Sequence, residues 1–160
     1  RPLKSLPVIK DLATDVSWNY EINKKIPAFA PDMTKEMKFS QLEADRVQEF
    51  RKCIECFLCQ NVCHVLRDHD KKQGEGNVFG GPRFMVRIAG LEMHPLDTED
   101  RAPLLKNELG LGFCNITKCC TEVCPEEIKI TDNAIIPLKE RVVDRYYDPV
   151  LWLWRKFTGK

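Results

Sequence analysis

The chain has 160 residues, which sets a prior of one domain, and its formal charge is +1 from 25 Lys and Arg against 24 Asp and Glu. Leu, Ile, Val and Phe together stand above the disordered range, so a real core is expected, and the balanced charge gives no reason to expect nucleic acid or another polyanion as partner. No apolar run reaches the roughly 18 residues of a membrane span, and there is no signal-peptide pattern.

Val8, Ile9, Leu12, Val16 and Tyr20 recur at helical spacing and predict a helix within 6–26, interrupted by Pro27. Residues 27–39, with Pro27 and Pro31, read as a loop. Ser40 and Glu43 form the S-x-x-E pattern of a capping box and open a helix carrying Leu42, Val47 and Phe50. Helix is expected again over 64–70, then a polar glycine-rich loop over 71–81. Its Gly74, Gly76, Gly80 and Gly81 make no G-x-G-x-x-G after a strand, so no phosphate loop is read there. Pro82 fits a first helical turn, with Phe84, Met85, Ile88 and Leu91 on one face. A helix over about 98–109 ends at Gly110, a C-cap. Thr131 or Asp132 caps a last helix through Ile135, Leu138, Val142 and Tyr146. No alternating strand of useful length appears. The predicted fold is all-α: a helical two-cluster ferredoxin-like domain, short helices around two metal clusters.

Eight cysteines are the unusual feature, and they fall in two tight groups. A secreted disulfide scaffold is one reading, but such groups in a chain without an export signal read as metal ligands. The first group, CIECFLCQNVC, places Cys53, Cys56, Cys59 and Cys63 at C-x2-C-x2-C-x3-C. Three thiolates from one short loop can wrap one cubane, and in two-cluster patterns the fourth cysteine ligates the other cluster. Zinc prefers two well-separated C-x2-C pairs, which this triple run is not.

The second group, CNITKCCTEVCP, superimposes on the first with Cys114, Thr117, Cys120 and Cys124 in the four seats. Three thiolates there suit a 3Fe–4S cluster beside a 4Fe–4S cluster. Crossed ligation then assigns Cys53, Cys56, Cys59 and Cys124 to the 4Fe–4S cluster, and Cys63, Cys114 and Cys120 to the 3Fe–4S cluster. Cys119 is left over. It reads as a buried free thiol, or as an extra ligand that replaces Thr117 and completes a second 4Fe–4S cluster.

Together these motifs resemble the C-terminal half of the iron–sulfur subunit of succinate dehydrogenase and fumarate reductase. FRKCIECFLCQNVCHVLRDH and GFCNITKCCTEVCPEEIKITDNAIIPLKERVVDR are similar to its actinobacterial branch, and LPVIKDLATDVSWNY to the segment joining the subunit's halves. The first residue is Arg1, not Met, and the chain has no C-x4-C-x2-C segment, so it reads as a piece of a longer polypeptide. The resemblance implies three parts. Residues 1–39 are a linker helix and loop from a missing N-terminal 2Fe–2S domain, 40–148 the α-helical two-cluster domain, and 149–160 an aromatic and basic tail at a membrane or partner interface. It also implies an electron-transfer subunit without bond chemistry of its own. Its partners would be an FAD flavoprotein and membrane anchor subunits, with quinone at or near the interface. The place would be peripheral, on the cytoplasmic face of a bacterial inner membrane. Fumarate reductase or a heterodisulfide-reductase-like enzyme are the neighbouring readings, and a zinc-stabilised interaction module the reading from another class.

The chain carries His64, Arg67 and Asp68 where relatives have Pro and Trp, and Asn115 and Thr117 where they often have His and an apolar residue. These positions border the family's quinone site. His64, Arg67, Asn115 and Thr117 are therefore the acceptor-side candidates, toward quinone or another redox centre in a membrane subunit. Lys118, Arg67 and backbone N–H groups are expected to raise cluster potential by opposing negative charge. His64 and His69 are proton donors or surface residues, and His94 before Pro95 is structural. The tail mixes Tyr146, Tyr147, Trp152 and Trp154 with Arg155, Lys156 and Lys160, which suits a membrane interface or ordinary aromatic packing.

Overall fold

A computed structural model describes residues 6–34, 36–68, 78–150 and 157. His69, Gly74, Gly76, Trp152, Trp154, Arg155, Lys156 and Lys160 lie outside the described residues.

The first element corrects the expectation of one helix within 6–26. Val8–Lys10 (β1) and Ala13–Thr14 (β2) pair as an antiparallel ribbon, and the helix α1 begins at Ser17 and ends at Lys25. Two local features decide this. Asp11 turns the ribbon at φ 53, and Asp15 Oδ1 accepts from Ser17 N at 2.9 Å, so the helix starts there. Ile9 and Leu12 are exposed, so the apolar spacing that suggested a helical face has no core to face.

The capping box forms as read. Ser40 Oγ accepts from Glu43 N while the Glu43 carboxylate accepts from Ser40 N at 2.7 Å, opening α2, Gln41–Arg51. Two short helices follow, α3 (Leu58–Val62) and α4 (His64–Asp68). The helix α5, Pro82–Glu92, has Pro82 in its first turn and buries Phe84, Met85, Val86, Ile88 and Ala89. It packs against α2 and against the stretch 130–135, and makes the centre of the core. Gly90 permits the approach to α2, since a Cβ there would lie 3.3 Å from Phe50 Cβ.

The helix expected over 98–109 is shorter: α6 spans Ala102–Asn107. Gly110 follows in the left-handed region at φ 51, and a Cβ would stand 2.9 Å from the Val78 carbonyl. A 3-10 turn, Leu111–Phe113, then leads to the short helix α7, Cys119–Glu122. The last helix is not capped by Thr131 or Asp132. Ile130–Ile135 forms a π-helical stretch running directly into α8, Ile136–Tyr146. Pro137 has no N–H to donate back to the preceding turn, which favours the wider coil before it.

Residues 27–31 are stitched to 97–101 by one buried cation. Arg101, fully buried, donates to the carbonyls of Pro27 at 3.3 Å and Ala28 at 2.8 Å and pairs with Asp97 at 2.9 Å. Thr98 N and Oγ1 add two bonds to the Ala30 carbonyl, at 3.0 and 2.8 Å. His94 is structural, as expected: Nδ1 accepts from Leu96 N, and its ring meets the edges of Phe29 and Phe39. Removing Arg101 would leave Asp97 buried, charged and unpaired. Arg101→Met is expected to cost about 3–5 kcal/mol, read as a lower midpoint in thermal or denaturant unfolding.

Candidate metal centre

Both cysteine groups follow one backbone scheme. Cys53 and Cys114 each begin a loop in which two residues are left-handed: Glu55 (φ 57) and Phe57 (φ 60) in the first, Ile116 (φ 61) and Lys118 (φ 62) in the second. In each group the second of these residues caps the following short helix, α3 or α7. Thr117 thus occupies the register of Cys56, and Cys119 that of Leu58. None of the four left-handed residues is glycine. Each such conformation costs on the order of 1–3 kcal/mol and persists only where its surroundings over-determine it.

The packing of α3 on α7 brings the two groups together. One cavity is lined by Cys53, Cys56, Cys59 and Cys124, with Val86, Ile128, Ile130 and Arg83 around them. A second is lined by Cys63, Cys114, Cys119 and Cys120, with His64, Asn115, Thr117 and Lys118. The last cysteine of each group therefore lines the cavity of the other. All eight cysteines are free of disulfides. Among the described residues, no three His, Cys, Asp or Glu side chains stand close enough to hold a single metal ion.

The electrostatics oppose bare thiolates here. Burial pushes the Cys59 thiol far up, and the neighbouring Cys120, Cys53 and Cys56 push it further. Burial also raises Cys63, against the backbone N–H groups of Leu66 and Val65. Cys120 is raised by burial and partly relieved by the Thr131 hydroxyl, 3.4 Å from its Sγ. Thiols so placed ionise only when positive charge arrives, as metal binding supplies.

The acceptor-side candidates divide. His64, Asn115 and Thr117 line the second cavity, and His64 Nδ1 lies 3.5 Å from Thr117 Oγ1. Arg67 is exposed on α4, outside that lining. Lys118 is half exposed and paired to Asp132 at 2.7 Å, so water screens its charge. Cys119 is half-buried, with Sγ 3.4 Å from Thr117 Oγ1.

Two residues lining these cavities, Thr131 and Arg83, and one next to Cys59 in the chain, Gln60, escaped the sequence reading. Thr131, expected as a helix cap, is buried and turns its hydroxyl to Cys120 and Thr121. Gln60, beside Cys59, is buried. Its Nε2 donates to Asn19 Oδ1 and to the Gly80 carbonyl, both at 3.2 Å, and its Oε1 accepts from Arg83 N at 3.4 Å. Arg83 is 3% exposed, and its Nε–H has no hydrogen-bond partner. A lone cation in the apolar run PRFMV was the available signal. An orphaned buried donor beside four cysteines suits a sulfur-rich anionic group, so the residues present fit an iron–sulfur cluster.

No protein-family model matches the chain. Over 93% of its length it superimposes on 62% of a chain in the solved Mycobacterium smegmatis Sdh1 complex in the apo form, at 61% identity and a TM-score of 0.83. Its homologues are the iron–sulfur subunits of succinate dehydrogenase and fumarate reductase. Among its relatives, a subunit of the fumarate reductase (CoM/CoB) of Methanothermobacter marburgensis is 34% identical over 138 residues, covering 84% of this chain and 26% of the relative. The succinate dehydrogenase iron–sulfur subunit of Bacillus subtilis is 27% identical over 141 residues, covering 83% and 53%. The chain thus spans a quarter to about half the length of these curated relatives.

Gly81, at φ 99, tests how tightly the chain packs around Gln60, the residue after Cys59. A Cβ there would lie 2.0 Å from Gln60 Oε1. Gly81→Ala is expected to lower stability by about 1–3 kcal/mol through backbone strain alone and to displace Gln60. Thermal melting together with iron content per chain checks both effects.

Proposed function

We propose that this chain is the two-cluster part of the iron–sulfur subunit of a succinate dehydrogenase, relaying electrons from an FAD flavoprotein toward quinone or a membrane redox centre. Cys53, Cys56, Cys59 and Cys124 would hold a 4Fe–4S cluster, and Cys63, Cys114 and Cys120 a 3Fe–4S cluster. The observation that carries the reading is the exchange of Cys63 and Cys124 between the two cavities. The clusters supply one-electron carriers; the chain fixes their spacing, shields them and sets the field around them.

Thr117 in the register of Cys56 supports three thiolates at the second site, because a threonine hydroxyl is a poor substitute for a thiolate on iron. The donor side of the relay is read at Cys53, which also borders an open groove lined by Phe29, Phe50, Arg51, Arg87 and His94. The acceptor side is read at the second cavity, near which Phe113 and Ile116 expose apolar surface suited to a membrane-protein partner. Among the described residues no helix is long and apolar enough to cross a membrane, so membrane attachment is assigned to anchor subunits. A 2Fe–2S cluster is assigned to a part of the subunit outside this chain. A fumarate reductase uses the same parts in the opposite direction.

Low-temperature EPR of the oxidised complex is expected to give a three-iron signal, and of the reduced complex one four-iron signal. Two reduced four-iron signals without a three-iron signal would make Cys119 a ligand. Cys124→Ser is expected to abolish the four-iron signal, although Cys124 belongs to the second group. Loss of the three-iron signal instead would overturn the crossed assignment. Thr117→Cys should admit a fourth iron at the second site and lower its potential, with an unchanged cluster type counting against the seat.

A further inference from the structure

We propose that Arg83 is the residue that sets the reduction potential of the cluster held by Cys53, Cys56, Cys59 and Cys124. This rests on the cluster assignment above. Arg83 lies in the first turn of α5, the most buried helix of the fold, and is itself 3% exposed. It lines the same cavity as the four cysteines. Its guanidinium sits over the Phe84 ring at 4.9 Å and 6.0 Å from the Phe57 centroid, with Nη1 3.4 Å from Asn23 Oδ1. These neighbours hold it in place without neutralising it.

The remaining charges facing this cavity are carboxylates. Glu55 is ion-paired to Arg83, but more than half of the Glu55 side chain is in water. Glu126, half-buried, also lines the cavity. A solvated carboxylate is screened, whereas a cation enclosed by protein acts through a lower dielectric. Arg83 therefore remains a net positive source beside a group that gains one negative charge when it accepts one electron. Its buried Nε–H has no hydrogen-bond partner that would draw charge away from the guanidinium, and the positive charge raises the potential. The cations expected from sequence act less, because Lys118 and Arg67 are exposed and screened by water, whereas Arg83 is enclosed.

The test is an EPR-monitored redox titration of the purified complex, with dithionite as the electron source and both clusters followed in the same sample. Arg83→Gln keeps length and an N–H group but removes the charge. It should weaken electron uptake at the four-iron site at least tenfold, a midpoint 59 mV more negative for a one-electron couple. Arg83→Lys should recover most of that shift. The three-iron midpoint should stay fixed in both variants, which a general loosening of the fold would not allow. Equal shifts for Gln and Lys, or an unmoved midpoint with full cluster content, would overturn the proposal. If Arg83→Gln fails to retain the four-iron cluster, Glu55→Gln decides: releasing Arg83 from its partner should raise the midpoint, and no rise overturns the role. A wild-type complex without a four-iron signal would overturn the cluster assignment itself, and Arg83 with it. A wild-type signal with unmoved variants removes Arg83 alone.

Discussion

The structure depends on an exchange. Each cysteine group contributes its last thiol to the cavity of the other, and the packing of α3 on α7 makes that exchange possible. Neither cavity is complete without residues from both halves of the chain. On the proposed cluster assignment, metal loading and chain closure are one cooperative event, because a ligand set drawn from both cysteine groups cannot assemble before the helices between them have packed. The helix α5 fills that interval. It is apolar on nearly every side, and the cavities form beside it as the other elements pack on it.

The strain at the centre follows from the same demand. Both loops reverse the curl of the backbone within a few residues, and the left-handed pairs at 55 and 57 and at 116 and 118 do this at the same register in each group. Ile116 is the costliest of the four, since a β-branched residue rarely enters that region. The surrounding packing is what holds it there.

Much of this was legible in the residues. Cysteine spacing is set by the geometry of the group it wraps, so the two groups and their register could be read without any structure. The capping box at Ser40 and the helix start at Pro82 were equally local, because each rests on hydrogen bonds within a few residues. The amino-terminal helix was misread because apolar periodicity reports a face only where something packs on it, and Ile9 and Leu12 meet solvent. Thr131 was misread for the opposite reason. Its hydroxyl serves a cysteine and a threonine about ten positions earlier, a partnership that no local pattern encodes. Arg83 and Arg101 share this character, being cations whose worth lies in what the fold folds around them.

Gln60 has a mechanical consequence. It is the residue after Cys59, and its amide grips Asn19 in α1 as well as the chain around Gly80 and Arg83. The position of Cys59 is thereby tied to the amino-terminal helix. A displacement of the backbone at Cys59 would slacken that grip and loosen α1 from the rest of the fold.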